Sequence, residues 1–404
     1  MENDAQSRLQ LARQIGAALL ARLLINTSRR FIYPFAPALS RGLDVPLTAL
    51  TSIIAVNQFA GFLSLISGPL SDRWGYRSMM IFGLGVLGFG MLFGGVLPSY
   101  WAVFAALVLA GAAKSIFDPA ILAFAGTHIP YERRGFAVGI LEMSWAGSSL
   151  LGIPLLGILM DQGGWRAPFF VLGGGSLVCM VVLARFLPRP HASKLGHGGP
   201  AGFLAALRRI AGEPAALGAM SFVFCVSMAN DNLFVVYGIW LEKTFGLSLV
   251  AIGFATTVIG AAELLGEGLV ASLSDRLGLR RSIILGGLFS GAAYAALPAM
   301  GASLPLALGG LFLVYLTGEF TIVGSISFFT EIMPEARGTM MAGYFTAASL
   351  GRVIGALMGG PLWLSGGIWA VAAASVLTSA AGLVGLLWGT RRFRPPPAAS
   401  SGPV

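Results

Sequence analysis

The sequence predicts an all-α membrane protein in which twelve transmembrane helices form two pseudo-symmetric six-helix bundles. Three observations lead to this fold class. Apolar residues make up 56% of the 404 residues and charged residues only 11%, whereas a soluble domain contains about 25% charged residues. The apolar residues fall into twelve stretches of roughly 20 residues, the length that a helix needs to cross the bilayer core. Two short motifs also recur at a constant distance along the chain.

The twelve apolar stretches define the predicted helices. The first six are 12–39, 47–70, 79–96, 101–126, 135–160 and 165–187. The second six are 214–243, 249–272, 282–301, 304–330, 338–364 and 368–390. Residues 1–187 are predicted to form the first bundle, and residues 214–404 the second bundle with a short cytoplasmic tail. Residues 188–213 are rich in Pro, Gly and basic side chains and are predicted to be a cytoplasmic linker.

The basic residues predict the orientation of the helices. Eighteen Lys and Arg residues fall on one side of the predicted membrane, and only Arg41, Arg166 and Lys243 fall on the other. Because cytoplasmic loops are enriched in Lys and Arg, both termini are predicted to be cytoplasmic and the number of helices to be even. The net charge of +9 is spread over short loops and does not form one stripe. This distribution argues against a nucleic-acid partner.

Other features of the sequence give no support for catalysis or metal binding. Cys179 and Cys225 lie within apolar stretches, which argues against a disulfide framework. His128, His191 and His197 are too scattered to form a metal site. No nucleophile–base set or phosphate-binding loop is found, so we predict neither an enzyme nor a cofactor. The polar start MENDAQSRLQ lacks the basic region of a signal peptide, so the first helix is expected to be retained.

Two motifs repeat 203 residues apart, which indicates two homologous halves. The first motif joins the second and third helices, and its copy joins the eighth and ninth. The two copies are Asp72-Arg73-x-Gly75-x-Arg77 and Asp275-Arg276-x-Gly278-x-Arg280. A second pair opens the fifth and eleventh helices. This pair is Arg134-Gly135 and Arg337-Gly338. Two markers at one offset predict parallel repeats related by an axis along the membrane normal.

The first motif resembles the loop 2–3 signature of the major facilitator superfamily. The residues that match are Gly68-Pro-Leu-Ser-Asp72-Arg73-Trp-Gly75-Tyr-Arg77, and the weaker copy begins with Ala271 where Gly is usual. The resemblance implies a twelve-helix secondary transporter and a gating role for both copies on the cytoplasmic face. The alternative is a static turn with topology-setting charges. The gating candidates are Gly68, Asp72, Arg73, Gly75, Arg77, Asp275, Arg276, Gly278 and Arg280.

Two departures from the family pattern weaken the match to drug–proton antiporters. The resemblance implies an Arg in the fourth helix of many such proteins, and Leu107 stands there in this chain. The fifth-helix antiporter signature is only approximated by Gly152-Ile-Pro154-Leu-Leu-Gly157.

Charged side chains within the predicted helices are the candidate functional residues. A charge at the centre of a bilayer costs roughly 2.5–3.5 kcal/mol, so these side chains are expected to pair or to face an aqueous cavity. The resemblance implies that the first, fourth, seventh and tenth helices line this cavity. The candidates for solute binding or proton coupling are Asn26, Arg29, Arg30, Lys114, Asp118, Glu142, Asp231, Glu263, Glu267, Glu319 and Arg352.

Spacing and depth predict some of the partners of these side chains. Lys114 and Asp118 are four residues apart and share one helix face, and Glu142 is a candidate to join them. Glu319 and Arg352 lie at similar depth on neighbouring helices and are expected to pair. Each of these groups has a structural alternative, a neutralised pair with no part in transport.

Other charges are predicted to act singly. Arg22 is three turns from the cytoplasmic end and is expected to extend to the interface. The adjacent Arg29 and Arg30 must point in different directions, so one is expected to meet the solute. Glu263 and Glu267 are one turn apart, and their mutual repulsion would favour proton uptake by one of them. Glu267 has a second interpretation, an ion pair near the cytoplasmic mouth.

The sequence therefore predicts a secondary active transporter that moves a small organic solute by alternating access. Proton coupling is expected from the acids in the helices, and efflux is preferred on the frequency of that direction in the family. The alternatives are proton-coupled uptake of an organic anion, a lipid flippase and a non-transporting membrane receptor. The expected partners are membrane lipids, protons and a solute that the basic residues favour as an anion, with the chain acting as a monomer. The expected location is the plasma membrane, here the inner membrane of a bacterium.

Overall fold

The computed structural model describes residues 2–63, 67, 70–71, 74–128, 140–188, 212–333, 337–391 and 393. These residues are almost entirely helical and include no strand. The predicted linker lies outside the described residues apart from its ends. The Arg134-Gly135 motif and residues Gly68, Asp72 and Arg73 also lie outside them.

The first bundle contains helices α1 to α6. Helix α1 consists of Glu2–Arg30 and Ile32–Leu43, and α2 consists of Leu47–Phe59 and the 3-10 turn Ala60–Leu63. The next four are α3 (Tyr76–Val96), α4 (Tyr100–His128), α5 (Ile140–Gly163) and α6 (Ala167–Phe186).

The second bundle contains helices α7 to α12. Helix α7 consists of Pro214–Phe234 and Tyr237–Phe245. The next three are α8 (Leu249–Leu277), α9 (Leu279–Met300) and α10 (Leu304–Ile332). The last helical stretch, Arg337–Thr390, has non-helical dihedral angles at Gly366 and Gly367. These angles divide it into α11 (337–365) and α12 (368–390), so the predicted two-bundle fold of twelve helices is confirmed.

Nine helices among the described residues are long and apolar enough to cross a membrane by length and composition. The other predicted spans are not counted separately in this set. Helix α1 contains a polar start and several arginines, the described part of α2 forms a shorter apolar helix, Leu47–Leu63, and α11 and α12 together form one 48-residue span, Gly343–Thr390.

The repeat predicted from the motifs is visible in the backbone. Gly75 precedes α3 with φ 83° and ψ 141°, and Gly278 precedes α9 with φ 81° and ψ 135°. Only glycine adopts this conformation without strain. The first helix of each bundle also contains a break at a similar position. Phe31 interrupts α1, and the turn that interrupts α7 begins at Val235.

The two bundles meet through small residues toward one end of the molecule. This end, called here the far face, contains the loops at Asp44, Gly164 and Gly246 and lies opposite the chain termini. Gly238 of α7 packs directly on the backbone of Pro34 in α1. A Cβ atom at Gly157 of α5 would lie 2.8 Å from the backbone oxygen of Leu249 in α8. Such close backbone approach is typical of helix packing in lipid.

Candidate functional site

A lysine ammonium lies at the centre of the first bundle between α1 and α4. Lys114 Nζ lies 2.6 Å from Asp118 Oδ2 and donates to Asn26 Oδ1 at 2.8 Å. The Asn26 amide in turn donates to the hydroxyl of Ser144 in α5 at 3.0 Å. The predicted Lys114–Asp118 pair is therefore present, and Asn26 is the second hydrogen-bond partner of the ammonium.

Arg22 belongs to the same group, which corrects the expectation that it extends to the interface. Its side chain is only 5% exposed. Its Nε lies 3.2 Å from Asp118 Oδ1, and its Nη2 lies 2.9 Å from Glu142 Oε1. Two carboxylates within reach stabilise the guanidinium in the bundle interior, so it has no need to reach water. Glu142 joins the cluster through Arg22, as one of the sequence interpretations proposed.

Arg30 joins the two bundles at mid-depth through a bidentate ion pair. Its Nη1 and Nη2 donate to Glu263 Oε2 and Oε1 at 3.1 and 2.8 Å. The guanidinium also lies over the rings of Trp145 and Phe234, with its Cζ 4.3 and 5.2 Å from their centroids. Both charges are almost fully buried. Arg30 therefore neutralises Glu263. The sequence predicted repulsion between Glu263 and Glu267 and did not predict this ion pair.

Arg29 points away from Arg30, as the sequence predicts, but it meets neutral side chains. Its Nε donates to Asn57 Oδ1 at 3.2 Å, and its Nη2 donates to Gln58 Oε1 at 2.7 Å. Gln58 Nε2 then donates to the Tyr33 hydroxyl at 2.8 Å and to Asp231 Oδ1 at 3.1 Å. Helix α2 therefore links the arginine of one bundle to the carboxylate of the other.

Arg352 contacts Asp231 and not Glu319, which corrects the predicted pair. Its Nε lies 3.8 Å from Asp231 Oδ2, at the limit of an ion pair. Asp231 lies in the last part of α7 before the helix break, and Gly355 of α11 packs closely on the α7 backbone at Met228. This close packing brings α11 to α7, so Arg352 reaches Asp231.

Of the six candidate acids, Glu267 and Glu319 have neither a hydrogen bond nor an ion pair among the described residues. Both are partly exposed. Glu319 lies against α8, since a Cβ atom at Gly266 would come within 2.9 Å of the Glu319 Cβ. Two carboxylates without a counter-charge therefore lie close to the α8–α10 contact.

The described gating candidates bind within their own bundles. Arg77 Nη2 donates to the backbone oxygen of Ala184 at 2.5 Å, which ties the start of α3 to the end of α6. Arg280 Nε donates to Thr390 Oγ1 at 3.2 Å, which ties the start of α9 to the end of α12 in the same manner. Asp275 and Arg276 lie in the last turn of α8. The gating role of this motif stays a prediction.

Sequence reasoning missed several residues of the site. Asn57, Gln58, Tyr33 and Trp145 were not candidates, because the candidates were chosen mainly as charged side chains. One signal was present for the first two, since an adjacent pair of amides is unusual in an apolar helix and implies a polar neighbour. Among the described residues no three His, Cys, Asp or Glu side chains are placed to hold a metal ion.

Comparisons with known proteins agree with this architecture. The chain resembles a chloramphenicol resistance protein of Streptomyces lividans, with 28% identity over 86% of this chain and 91% of the relative. It is 25% identical to a multidrug resistance efflux pump PmrA homolog of Lactococcus lactis over 92% of both chains. A Bacillus subtilis MFS-type transporter, YceJ, is 28% identical over 85% of this chain and 87% of the relative.

The fold is also similar to that of a solved transporter. A bacterial homolog to the human lysosomal transporter Spinster, in an inward-facing and unoccupied conformation, superposes with a TM-score of 0.75 at 16% identity. The alignment covers 95% of this chain and 96% of the other. A family model matches residues 18–230 and 219–403, so that each match covers about one bundle. The chain is a multi-pass membrane protein of the Major Facilitator Superfamily, with the fold of its transporters.

Proposed function

We propose that this chain exports small organic compounds across the plasma membrane in exchange for protons. The observation that supports this proposal best is the pattern of charge pairing among the candidate residues. Four of the five candidate bases contact carboxylates, while Glu267 and Glu319 have no counter-charge. A partly buried carboxylate without a counter-charge can load and release a proton near neutral pH, which is what a proton-driven exchanger requires.

The direction of transport is supported by the relatives. Two of them are named for resistance or efflux, one of chloramphenicol and one of several drugs. Both align with most of this chain. Export by this chain is therefore the expected direction, with both termini and the linker in the cytoplasm.

The second candidate is proton-coupled uptake of an organic anion, which requires a base that is free to meet the solute. Arg29 is the observation in its favour, because its hydrogen bonds go to the amide oxygens of Asn57 and Gln58 and not to a carboxylate. The ion pairs of Arg30 and Lys114 count against it, since both bases would have to leave a carboxylate to bind an anion.

Accumulation of labelled solute in bacterial cells that produce the chain tests the direction and the coupling. Radiolabelled chloramphenicol and fluorescent ethidium serve as probes, in cells energised by a carbon source. We expect lower accumulation than in cells that produce the Arg30→Ala variant, and we expect a protonophore to abolish the difference. Higher accumulation of a labelled carboxylate in energised cells, with no effect on either drug, would instead support uptake of an anion.

A further inference from the structure

Two polar groups without partners lie near the α7–α10 contact of the second bundle. Glu319 of α10 has no hydrogen bond or ion pair among the described residues. Asn230 of α7 is likewise partly exposed and without a hydrogen bond among those residues. Gly318, the residue before Glu319, lies against Asn230 across the α7–α10 contact, because a Cβ atom at Gly318 would lie 3.9 Å from Asn230 Nδ2.

A third unpartnered group lies on the same face of α10. Tyr315 precedes Glu319 by four residues, so the two side chains share a helix face. The Tyr315 side chain is only 3% exposed, and its hydroxyl has no hydrogen-bond partner. Its ring contacts Phe234 of α7, with centroids 5.5 Å apart. A buried hydroxyl without a partner is costly, which makes an absent hydrogen-bonding ligand the natural explanation.

The first bundle shows how a pair of this kind is satisfied. There the corresponding helices, α4 and α1, contribute Asp118 and Asn26, and the ammonium of Lys114 lies between them at 2.6 and 2.8 Å. Asn26 and Asn230 are separated by 204 residues, one more than the offset of the repeat. The positions 203 residues after Lys114 and Asp118 are Thr317 and Thr321, so the second bundle has no lysine there, and its carboxylate, Glu319, lies between the two.

The surrounding charges leave the Glu319 carboxylate uncompensated. Arg30, the base that bridges the two bundles, is held by both oxygens of Glu263. Arg352, the base of α11, lies against Asp231. A cation from outside the chain is therefore the partner that the local electrostatics favour at Glu319.

We infer that the transported solute carries an ammonium group that binds at Glu319 and Asn230 near the α7–α10 contact, with the same kinds of partner that Lys114 has in the first bundle. The ammonium donates to the Glu319 carboxylate and to the Asn230 amide oxygen, and the Tyr315 hydroxyl offers a further oxygen. The solute class is then an organic amine that is protonated at neutral pH. This inference rests on the proposed transport function and specifies its substrate.

Ligand-dependent thermal unfolding of the purified full-length chain tests the site. Three probes share one apolar body and differ in charge: 1-aminoadamantane, 1-adamantanol and adamantane-1-carboxylate. A compound that binds the folded chain raises its unfolding midpoint in a dose-dependent manner. We expect the amine alone to do so. Glu319→Gln should weaken its apparent affinity about ten- to a hundredfold, as expected for a lost charge-assisted hydrogen bond.

Two further variants separate the site from a general effect of charge. Asn230→Ala should weaken the binding of the amine by a smaller factor, and it serves as the second test if Glu319→Gln does not fold. Glu331→Gln is the matched control, because it makes the same substitution three turns further along α10 and should leave the binding of the amine unchanged. Loss of binding in Glu331→Gln with retention in Glu319→Gln would place the cation elsewhere and overturn the inference.

The outcomes also distinguish this inference from the proposed function. Stabilisation by the alcohol or the carboxylate, or by no probe, overturns the ammonium site, whereas proton-driven export of chloramphenicol or ethidium would still stand. Binding of the amine that depends on Glu319, in a chain that exports neither drug, supports the site and removes the evidence for drug export.

Discussion

At the scale of single residues, the interior of this transporter is a set of neutralised charges with a small negative excess. The candidate residues in the helices include five bases and six acids, and the bases are bound mostly by carboxylates. A buried charge without a partner would be costly. The pairs therefore explain how so many ionisable side chains remain in an apolar bundle, and they leave Glu267 and Glu319 as the acids with free capacity.

The Arg30–Glu263 pair should dominate the stability of the contact between the bundles. Removing one partner leaves a buried charge uncompensated, which typically costs about 3–5 kcal/mol. We expect Arg30→Met to lower the thermal unfolding midpoint of the purified chain strongly. The double variant Arg30→Met with Glu263→Leu should recover most of the loss, because no unpaired charge remains.

Recovery of stability without recovery of transport would show that the pair has a role beyond folding. Arg30→Lys is the informative control, since it keeps the charge and loses the bidentate geometry. If Arg30→Met unfolds at the wild-type temperature, the buried ion pair does not exist in the folded protein.

Prediction from the sequence was most successful for residues whose partners are local or repeated. Lys114 and Asp118 are one turn apart on one helix, so helical geometry alone placed them together. Arg352 failed for the opposite reason. Its choice between Asp231 and Glu319 depends on the rotation and depth of α11 relative to α7 and α10, which no periodicity encodes. Asn57 and Gln58 were missed because neutral amides cause no charge imbalance that a sequence can reveal.

At the scale of helices, glycine sets both the turns and the distances between elements. Gly75 and Gly278 precede α3 and α9 with the same positive φ. The arginine that follows in each motif donates a hydrogen bond to another helix of the same bundle. The loop motif therefore fixes the orientation of two helix pairs, whatever its additional part in gating.

Replacing either of these glycines by alanine should destabilise the chain. A side chain at positive φ costs on the order of 1–3 kcal/mol, so Gly75→Ala and Gly278→Ala should each lower the unfolding midpoint. Gly291→Ala is the matched control, because Gly291 is helical and a Cβ atom there meets nothing within 4 Å. Equal midpoints for all three variants would contradict a structural need for glycine at the two turns.

At the scale of the whole molecule, the two bundles are joined at mid-depth and closed at the far face. Arg30–Glu263 and the Gln58–Asp231 hydrogen bond connect them in the middle. At the far face Gly238 packs on Pro34, and Arg41 Nη1 lies 2.7 Å from Glu242 Oε1. A rocking transporter must open this face to release or accept solute, so the far-face contacts belong to one of its two states.

The exposed Arg41–Glu242 pair should shift the equilibrium between these two states by only a small factor. Arg41 is 60% exposed, and exposed ion pairs typically contribute about 0.2–1 kcal/mol. That range corresponds to a shift in the population ratio of about 1.4- to 5-fold. We expect Arg41→Glu to increase the fraction of molecules with an open far face, and Arg41→Glu with Glu242→Arg to restore the original fraction.

The distance distribution between spin labels on α1 and α7 would measure these populations. One label is attached to a cysteine that replaces Ser40, and the other to a cysteine that replaces Thr244. Cys179 and Cys225 are replaced first, so that no other cysteine is labelled. High salt should reduce the difference between wild type and Arg41→Glu, because screening weakens an exposed pair. If the charge-swapped double variant stays as open as Arg41→Glu, the far face is held by the Gly238–Pro34 packing and not by the ion pair.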